Sequence, residues 1–394
     1  MTNRTPNTEQ RIPVSEYRIP NTEYQVLQSM RSLKQLLYDQ YLTFRYTFGN
    51  TKQYYPGKKK SKFQILRDLI AWQLREHEFN SMYYAMGLHL TGSVQKEYIS
   101  RRSFLKIKNK VEKKLRQQAG CEDLIYDVIT KDKFYANSIL TANGLPCTEN
   151  LALVSGSGLI YPDGKIKKLD SLLKLDHPFF LKNITLEAGE GILHCLVQDN
   201  GILINGVQKT ISDLRKILDC KKWILQKQYY SHGDLAKINS MALNSTRVFT
   251  ILNDGEPEFL CAYQGFATGN ATSDSWQHGS IYTGIDIENE TLKEYGLTSV
   301  SDRREGLLKE HPDSRIRFKG FKIPFLQEAV DLCIRAHRVL YFNFIIGWDV
   351  AITDSGPLIL EANEKPGMNV AQALNGGLRQ RIEECTDKIL RGRK

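Results

Sequence analysis

The sequence predicts an α+β protein in which a basic, mostly helical N-terminal region precedes a longer segment of mingled strands and helices. Two observations carry this. Apolar residues recur at helical spacing up to about residue 118. Beyond residue 120, short β-branched and aromatic runs bounded by Gly and Pro turns alternate irregularly with helical segments, which argues against a repeated βαβ array. The 394 residues suffice for two or three domains with substantial cores.

Residues 1–25 are polar and Pro-punctuated and repeat Pro-Asn-Thr-Glu at 6–9 and 20–23, so a mobile tail is expected there. From 26 to 120 the pattern is helical: Val26, Met30, Leu33 and Leu37 share one face, as do Phe63, Leu66, Leu69, Ile70 and Leu74. Tyr54-Tyr55-Pro56-Gly57 separates the two segments. The aromatic group from Met82 to Tyr98 reads as a packing surface. Asp132 to Leu145 reads as one helix, closed by Asn143-Gly144 and Pro146. Leu151–Val154, Phe179–Lys182, Trp223–Gln226 and Arg247–Leu252 read as strands, Phe325–Leu340 and Leu378–Leu390 as helices. Residues 121–394 are expected to form one domain.

Composition narrows the function classes. Hydrophobic residues at 41% and charged residues at 25% describe an ordinary globular protein, and no apolar run approaches a membrane span. The N-terminus lacks the apolar stretch of a signal peptide. Seven cysteines are scattered without a C-x-x-C pair, so no zinc or disulfide framework is indicated and a reduced, cytoplasmic setting is expected. The net charge of +10 is concentrated before residue 120, without a nucleic-acid motif beside it. No nucleic-acid partner is expected; an acidic substrate or an anionic membrane surface fits the charge equally well.

The most informative segment is Gly347 to Asn363, which reads as a β-hairpin. With Asp354-Ser355-Gly356 as a three-residue loop, Thr353 faces Pro357 and Asp349 faces Glu361. Asn363, two residues further on, shares their face. Three oxygen-bearing side chains on one strand pair suit Mg²⁺. A loop of two or four residues is expected to put Asp349 on the other side and break the site. A second signal is Phe179-Phe180-Leu181-Lys182, an apolar strand ending in lysine, followed by a loop with Gly189 and Gly191. A lysine there can neutralise phosphate oxygens while small loop residues admit backbone N–H groups.

The order of the pieces raises their weight. Asp132-Lys133 opens a helix, Lys182 and its glycine loop follow, then the strand Ile224 to Tyr229, then Asn244-Ser245-Thr246-Arg247, then Asp349 and Glu361-Ala362-Asn363. This series resembles the ATP-grasp superfamily, and in particular its sugar-transfer-associated members linked to polysaccharide biosynthesis. Phe266-Ala267-Thr268-Gly269-Asn270, Gly279-Ser280-Ile281 and Ile346-Gly347-Trp348-Asp349 also carry the likeness, which covers about residues 125–385. The resemblance implies an ATP-grasp fold, two α+β subdomains sandwiching ATP. It implies Lys133 and Lys182 on the phosphates, and Gly189 and Gly191 in the covering loop. Gln226, Lys227 and Tyr229 would form the adenine hinge, with Asp234 at the ribose. Asp349, Glu361 and Asn363 would hold Mg²⁺, and Arg247 would neutralise the transferred phosphoryl group. Gln226 stands where many relatives carry Glu.

The implied activity is an ATP-dependent ligase that activates a carboxylate as an acyl phosphate for attack by an amine. A small-molecule or glycan carboxylate and an amine acceptor are the expected substrates, with glycosyltransferases as associated proteins. Arg315, Arg317, Lys319 and His278 are candidate acceptor contacts. Two alternatives stay open at this point: a kinase acting on a sugar or glycan, and a non-catalytic nucleotide-binding partner of glycosyltransferases.

Overall fold

The computed structural model describes residues 40–45, 47–49, 54–124, 126–156, 158–184, 191–198, 201–218, 222–269, 271, 273–274, 279–298 and 306–391. The chain divides into a unit over residues 1–50, in which 40–45, 47 and 48 are helical, and a unit over 51–394. The expected mobile tail and the helical pattern from Val26 to Leu37 lie outside the described residues.

The second unit opens with two helices, α1 (Lys62–Glu76) and α2 (Arg101–Gln118). Ser61 caps α1 in a reciprocal box with Gln64, and Ser100 caps α2 through Ser103 N–H. The residues between them are mostly turns that bury Met82, Tyr83, Tyr84, Met86 and Leu88, the aromatic group expected to pack. Next come α3 (Asp127–Lys131) and α4 (Lys133–Ala142).

Eight strands then form an antiparallel sheet: β1 (Asn150–Ser155), β2 (Gly158–Ile160), β3 (Ile166–Lys168), β4 (Phe179–Asn183), β5 (Ile192–Gln198), β6 (Gly201–Ile204), β7 (Val207–Lys209) and β8 (Trp223–Lys227). Their order is β3-β2-β1-β8-β4-β5-β6-β7, and α5 (Ile211–Leu218) covers one face. Phe179, Leu181, Cys195, Trp223 and Leu225 point into that covered core. Alternation therefore puts Phe180, Lys182, His194, Ile224 and Gln226 on the opposite face.

A short helix α6 (Gly233–Ile238) leads to the second antiparallel sheet: β9 (Ser245–Asn253), β10 (Glu256–Phe266), β11 (Ile281–Asp286), β12 (Thr291–Leu297), β13 (Leu307–Leu308), β14 (Ile345–Thr353) and β15 (Gly356–Asn363), ordered β13-β12-β11-β10-β9-β14-β15. Helix α7 (Leu326–Val339) fills the core beneath it, against Val248, Ala262, Trp348 and Ala362. The chain ends in α8 (Met368–Asn375) and α9 (Arg379–Arg391). The expected α+β mixture, with helices before the sheets, is what the structure has. Strands β2, β3, β5, β6, β7, β10, β11, β12 and β13 escaped the sequence reading, five of them being only two to four residues long.

The basic helices are fastened to the C-terminal half by buried polar contacts. The side chain of Gln372 accepts from Ile99 N–H (2.9 Å) and donates to Ile99 C=O (2.8 Å). Within α2, buried Lys108 donates to Glu112 at 2.6 Å, and Glu112 in turn accepts from Phe344 N–H at 2.9 Å, just ahead of β14. Removing one member of a buried pair strands the other charge. Glu112→Ala is therefore expected to lower unfolding free energy by about 3–5 kcal/mol in urea melts, and the double replacement Lys108→Met/Glu112→Leu by less. Equal losses would show that the pair is not coupled.

Candidate functional site

The site grows from one row of residues across the second sheet. Strand β9 lies between β10 and β14, and β15 flanks β14. Arg247 stands opposite Tyr263 on one side and Asp349 on the other, and Asp349 stands opposite Glu361. Tyr263, Arg247, Asp349 and Glu361 thus share one face, while their neighbours Val248, Ala262, Trp348 and Ala362 pack into the core.

Two β-bulges assemble that row. In the β14–β15 hairpin Thr353 pairs with Gly356, so the loop is the two residues Asp354-Ser355, not the expected three. Gly356 does take a positive φ of 104°. The register runs regularly to Val350 opposite Ile359, then shifts by one at Leu360, restoring Asp349 opposite Glu361. The expectation that a loop of even length breaks the site is thereby corrected, since the bulge absorbs the difference. Strands β9 and β10 repeat the device. Asp254 and Gly255, both at positive φ, make their turn, and a shift between Phe259 and Cys261 brings Tyr263 opposite Arg247. Bulges commonly re-aim side chains beside functional sites.

Each carboxylate of the row is paired with a cation. The guanidinium of Arg247 grips Asp349 with two N–H donors, Nε to Oδ1 and Nη2 to Oδ2, the latter at 2.8 Å. Burial works against the charge on Arg247, yet Asp349 beside it holds its pKa above the usual arginine value. Asn363 Nδ2 donates to Asp349 Oδ2 at 3.2 Å. Glu361 meets Lys133 Nζ at 3.2 Å. Lys133 is the first residue of α4, whose N-terminus Asp132 caps through Phe134 and Tyr135 N–H. Its own N–H donates to Ile184 C=O at the end of β4, so α4 reaches from the first sheet to Glu361 on the second.

Lys182 lies on β4 one residue pair from that junction, on the face away from the core. Burial pushes its pKa below the ordinary lysine range and Lys133 adds to this, while Glu361 and Asp349 oppose it. Gly191 follows at a positive φ of 67°, its C=O accepting from Asn183 N–H. Gly189 and the flanking Glu187 and Glu190 lie outside the described residues.

On β8, Gln226 is buried and its amide is anchored. Nε2 donates to Thr148 Oγ1 at 3.1 Å and to Asn150 Oδ1 at 2.7 Å, leaving Oε1 buried without a partner among the described residues. Lys227 and Tyr229 follow, with the lysine ammonium 5.8 Å from the tyrosine ring centre. Beside them a cavity of about 240 Å³ is lined by Phe180, His194, Gln228, Tyr229, Met241 and Leu243. Asp234 is not among its lining residues; it pairs with Lys237 at 2.6 Å in an exposed turn of α6. Arg315 pairs with Glu310 at the surface, and His278 lies outside the described residues.

The structure thus brings together Lys133, Lys182, Arg247, Asp349, Glu361 and Asn363, and sets Gln226 on β8 with Tyr229 two residues beyond its end. The sequence reading missed Tyr263, Tyr282 and Asp274. Tyr263 stacks on Tyr282 with ring centres 5.1 Å apart, and burial pushes the Tyr263 hydroxyl up to about 12. Counting outward from the Asp254-Gly255 turn comes within one residue of finding Tyr263. Asp274 has no such signal.

The donor set Asp349, Glu361 and Asn363 is all oxygen, the chemistry that Mg²⁺ takes. Among the described residues no group of three or more His, Cys, Asp or Glu is gathered for a metal, so any metal here rests on two carboxylates and an amide. No helix among the described residues is long and apolar enough to cross a membrane.

Two antiparallel sheets whose open faces carry Lys182, Arg247 and this oxygen set, with Lys133 reaching Glu361 from a helix, define an ATP-grasp protein. The chain belongs to the sugar-transfer associated ATP-grasp family, whose profile matches residues 121–387. No similar sequence was found among the curated proteins. Among solved structures it is similar to the D-alanine–D-alanine ligase from Coxiella burnetii (11% identity, TM-score 0.38, 68% of this chain and 60% of that one). It is also similar to the VanG D-Ala:D-Ser ligase from Enterococcus faecalis (11%, 0.40, 72% and 69%). N5-carboxyaminoimidazole ribonucleotide synthetase from Thermotoga maritima is a third (14%, 0.37, 75% and 56%). The chain spans about 60% of the first of these proteins.

The lowered pKa of Lys182 gives a pH prediction. Its folded value lies below its unfolded one, so the buried charge costs stability at neutral pH and that cost is relieved as pH rises. If the lysine must be charged to hold phosphate, ATP affinity falls as pH rises through the lowered value. Lys182→Arg, which stays charged, is expected to abolish that alkaline decline in calorimetric titrations. The same decline in both proteins would exclude Lys182 as the titrating group.

Proposed function

We propose that this protein is an ATP-dependent ligase that activates a substrate carboxylate as an acyl phosphate and joins it to an amine, in the synthesis of cell-surface polysaccharide or another sugar conjugate. The observation that carries this reading is the charge row, with Arg247 on Asp349 and Lys133 on Glu361, and Lys182 facing it from the other sheet. Such a row places cations and hard oxygen donors within one side chain of each other, as a nucleotide triphosphate requires. The family description supports the link to sugar transfer.

In this reading Lys133 and Lys182 bind the phosphates, assisted by backbone groups near Gly191. The partnerless Oε1 of Gln226 accepts from the exocyclic amine of adenine, and Lys227 and Tyr229 flank the base; the cavity beside Tyr229 is open enough to take part of a nucleoside. Asp349, Glu361 and Asn363 hold Mg²⁺, which supplies neutralisation of phosphate charge. Arg247, released in part from Asp349, stabilises charge on the transferred phosphoryl group. The substrate carboxylate attacks the γ-phosphorus and ADP leaves. The amine then attacks the acyl carbon and phosphate leaves. Positioning and fixed charge supply the acceleration.

The test is ADP release with Mg²⁺ and ATP over glucuronate, galacturonate, alanine and glutamate, followed by trapping with hydroxylamine. A carboxylate-dependent ADP signal with a matching hydroxamate is expected, and Asp349→Ala or Glu361→Ala should lower both by about 100-fold or more, as loss of a charge-stabilising group does. A stable phosphosugar without hydroxamate would replace the ligase with a kinase.

A further inference from the structure

Beyond the nucleotide residues, Asp274 brings to the charged row a carboxylate that the metal set does not use. Asp274 descends from the connection between β10 and β11 onto Ser245, two residues before Arg247 on β9. Its Oδ2 accepts from Ser245 N–H at 2.7 Å and from Ser245 Oγ at 2.5 Å. Tyr282 Oη donates to Asp274 C=O at 2.9 Å. Room for the carboxylate is made by Gly265, which pairs with Tyr282. A Cβ there would come within 2.8 Å of Asp274 Oδ2 and 2.9 Å of the Tyr282 ring. Three independent features therefore seat this side chain: a bare glycine, a double donor on Ser245, and a tyrosine that pins the backbone.

It stands beside the charged row. Ser245 and Arg247 share a face of β9, so the carboxylate lies about one residue pair along the sheet from Arg247 and Asp349. The residue is half-buried. The charged and titratable groups that face it are Arg247, Asp349, Tyr263 and Tyr282. Burial raises its pKa to about 6, Ser245 and Arg247 oppose the rise, and Asp349 adds to it. A base of that strength is ionised at neutral pH yet able to accept a proton.

We propose that Asp274 is the general base for the amine, an assignment that rests on the ligase reading above. Asp274 takes one proton from the ammonium nitrogen, whose freed pair attacks the acyl carbon. The C–N bond forms and the C–O bond to phosphate breaks, its electron pair leaving with the phosphate oxygen. That oxygen takes the second proton lost by the nitrogen, and Asp274 returns its own to solvent. Arg247 neutralises the departing phosphate. Tyr263 and Tyr282 act as positioning residues, the first beside Arg247 on the neighbouring strand and the second anchoring Asp274.

Asp274→Asn keeps the shape and the acceptor toward Ser245 while removing the base, and its melting temperature verifies that the variant folds. Hydroxylamine is uncharged at neutral pH and needs no base. With the carboxylate and amine selected by the ADP-release panel, the variant is expected to form hydroxamate within about threefold of wild type. It should join the amine at least about 100-fold more slowly, the size expected for a lost general base, and lack the acidic limb of the amine kcat/KM profile. Amine joining within threefold of wild type overturns the proposal, as does an equal fall in hydroxamate and amide. A wild-type protein that gives no hydroxamate overturns the ligase reading, and the assignment with it.

Discussion

Two carboxylates face each other across adjacent strands at Asp349 and Glu361, an arrangement that repels unless something holds each of them. Arg247 does so from β9 and Lys133 from the start of α4, giving a chain of charge that runs cation, carboxylate, carboxylate, cation. The rest of the site depends on this balance. In the proposed reaction the nucleotide phosphates would draw on the cations and Asp349 and Glu361 would be free to hold Mg²⁺, so the exchange of partners would leave no charge stranded. The pairs are largely shielded from solvent, with Lys133 and Glu361 side chains 13% and 29% accessible, so each charge depends on its partner.

The scaffold serves this row from both sheets. Helix α4 is anchored to β4 through Lys133 N–H and Ile184, and the chain after it pairs with β15 through Thr148 and Ile359 before entering β1. His232 N–H donates to Ile352 C=O on the return crossing from β8. Lys182 and Gln226 on the first sheet are thus tied to Glu361 and Asp349 on the second by short backbone links. Side-chain hydrogen bonds on a rigid framework fix the charges more closely than loops would.

Much of this was legible in the sequence, for identifiable reasons. Lys133 follows a capping aspartate, Lys182 ends an apolar strand, and Asp349, Glu361 and Asn363 sit in a hairpin with a glycine turn; each is a local signal. The register was reached by a wrong turn length that a bulge at Leu360 compensated. This bulge leaves no signal in the sequence, because Leu360 is as apolar as Leu358 and Ile359 before it. The same blindness hid Tyr263, one residue beyond where regular pairing places a partner for Arg247. Asp274 comes from a long connection whose path is decided by Gly265 and Ser245, contacts far apart in the chain. The loop at Gly189 lies outside the described residues.

The central claim is that the Asp349–Glu361–Asn363 set and the facing cations form one Mg²⁺-dependent ATP site. Isothermal titration of ATP into the full chain, in excess Mg²⁺ and again in EDTA, tests it most directly. One site per chain is expected with Mg²⁺, weakened by at least about tenfold, or 1.4 kcal/mol, when the metal is removed. Equal affinity in the two titrations would contradict it.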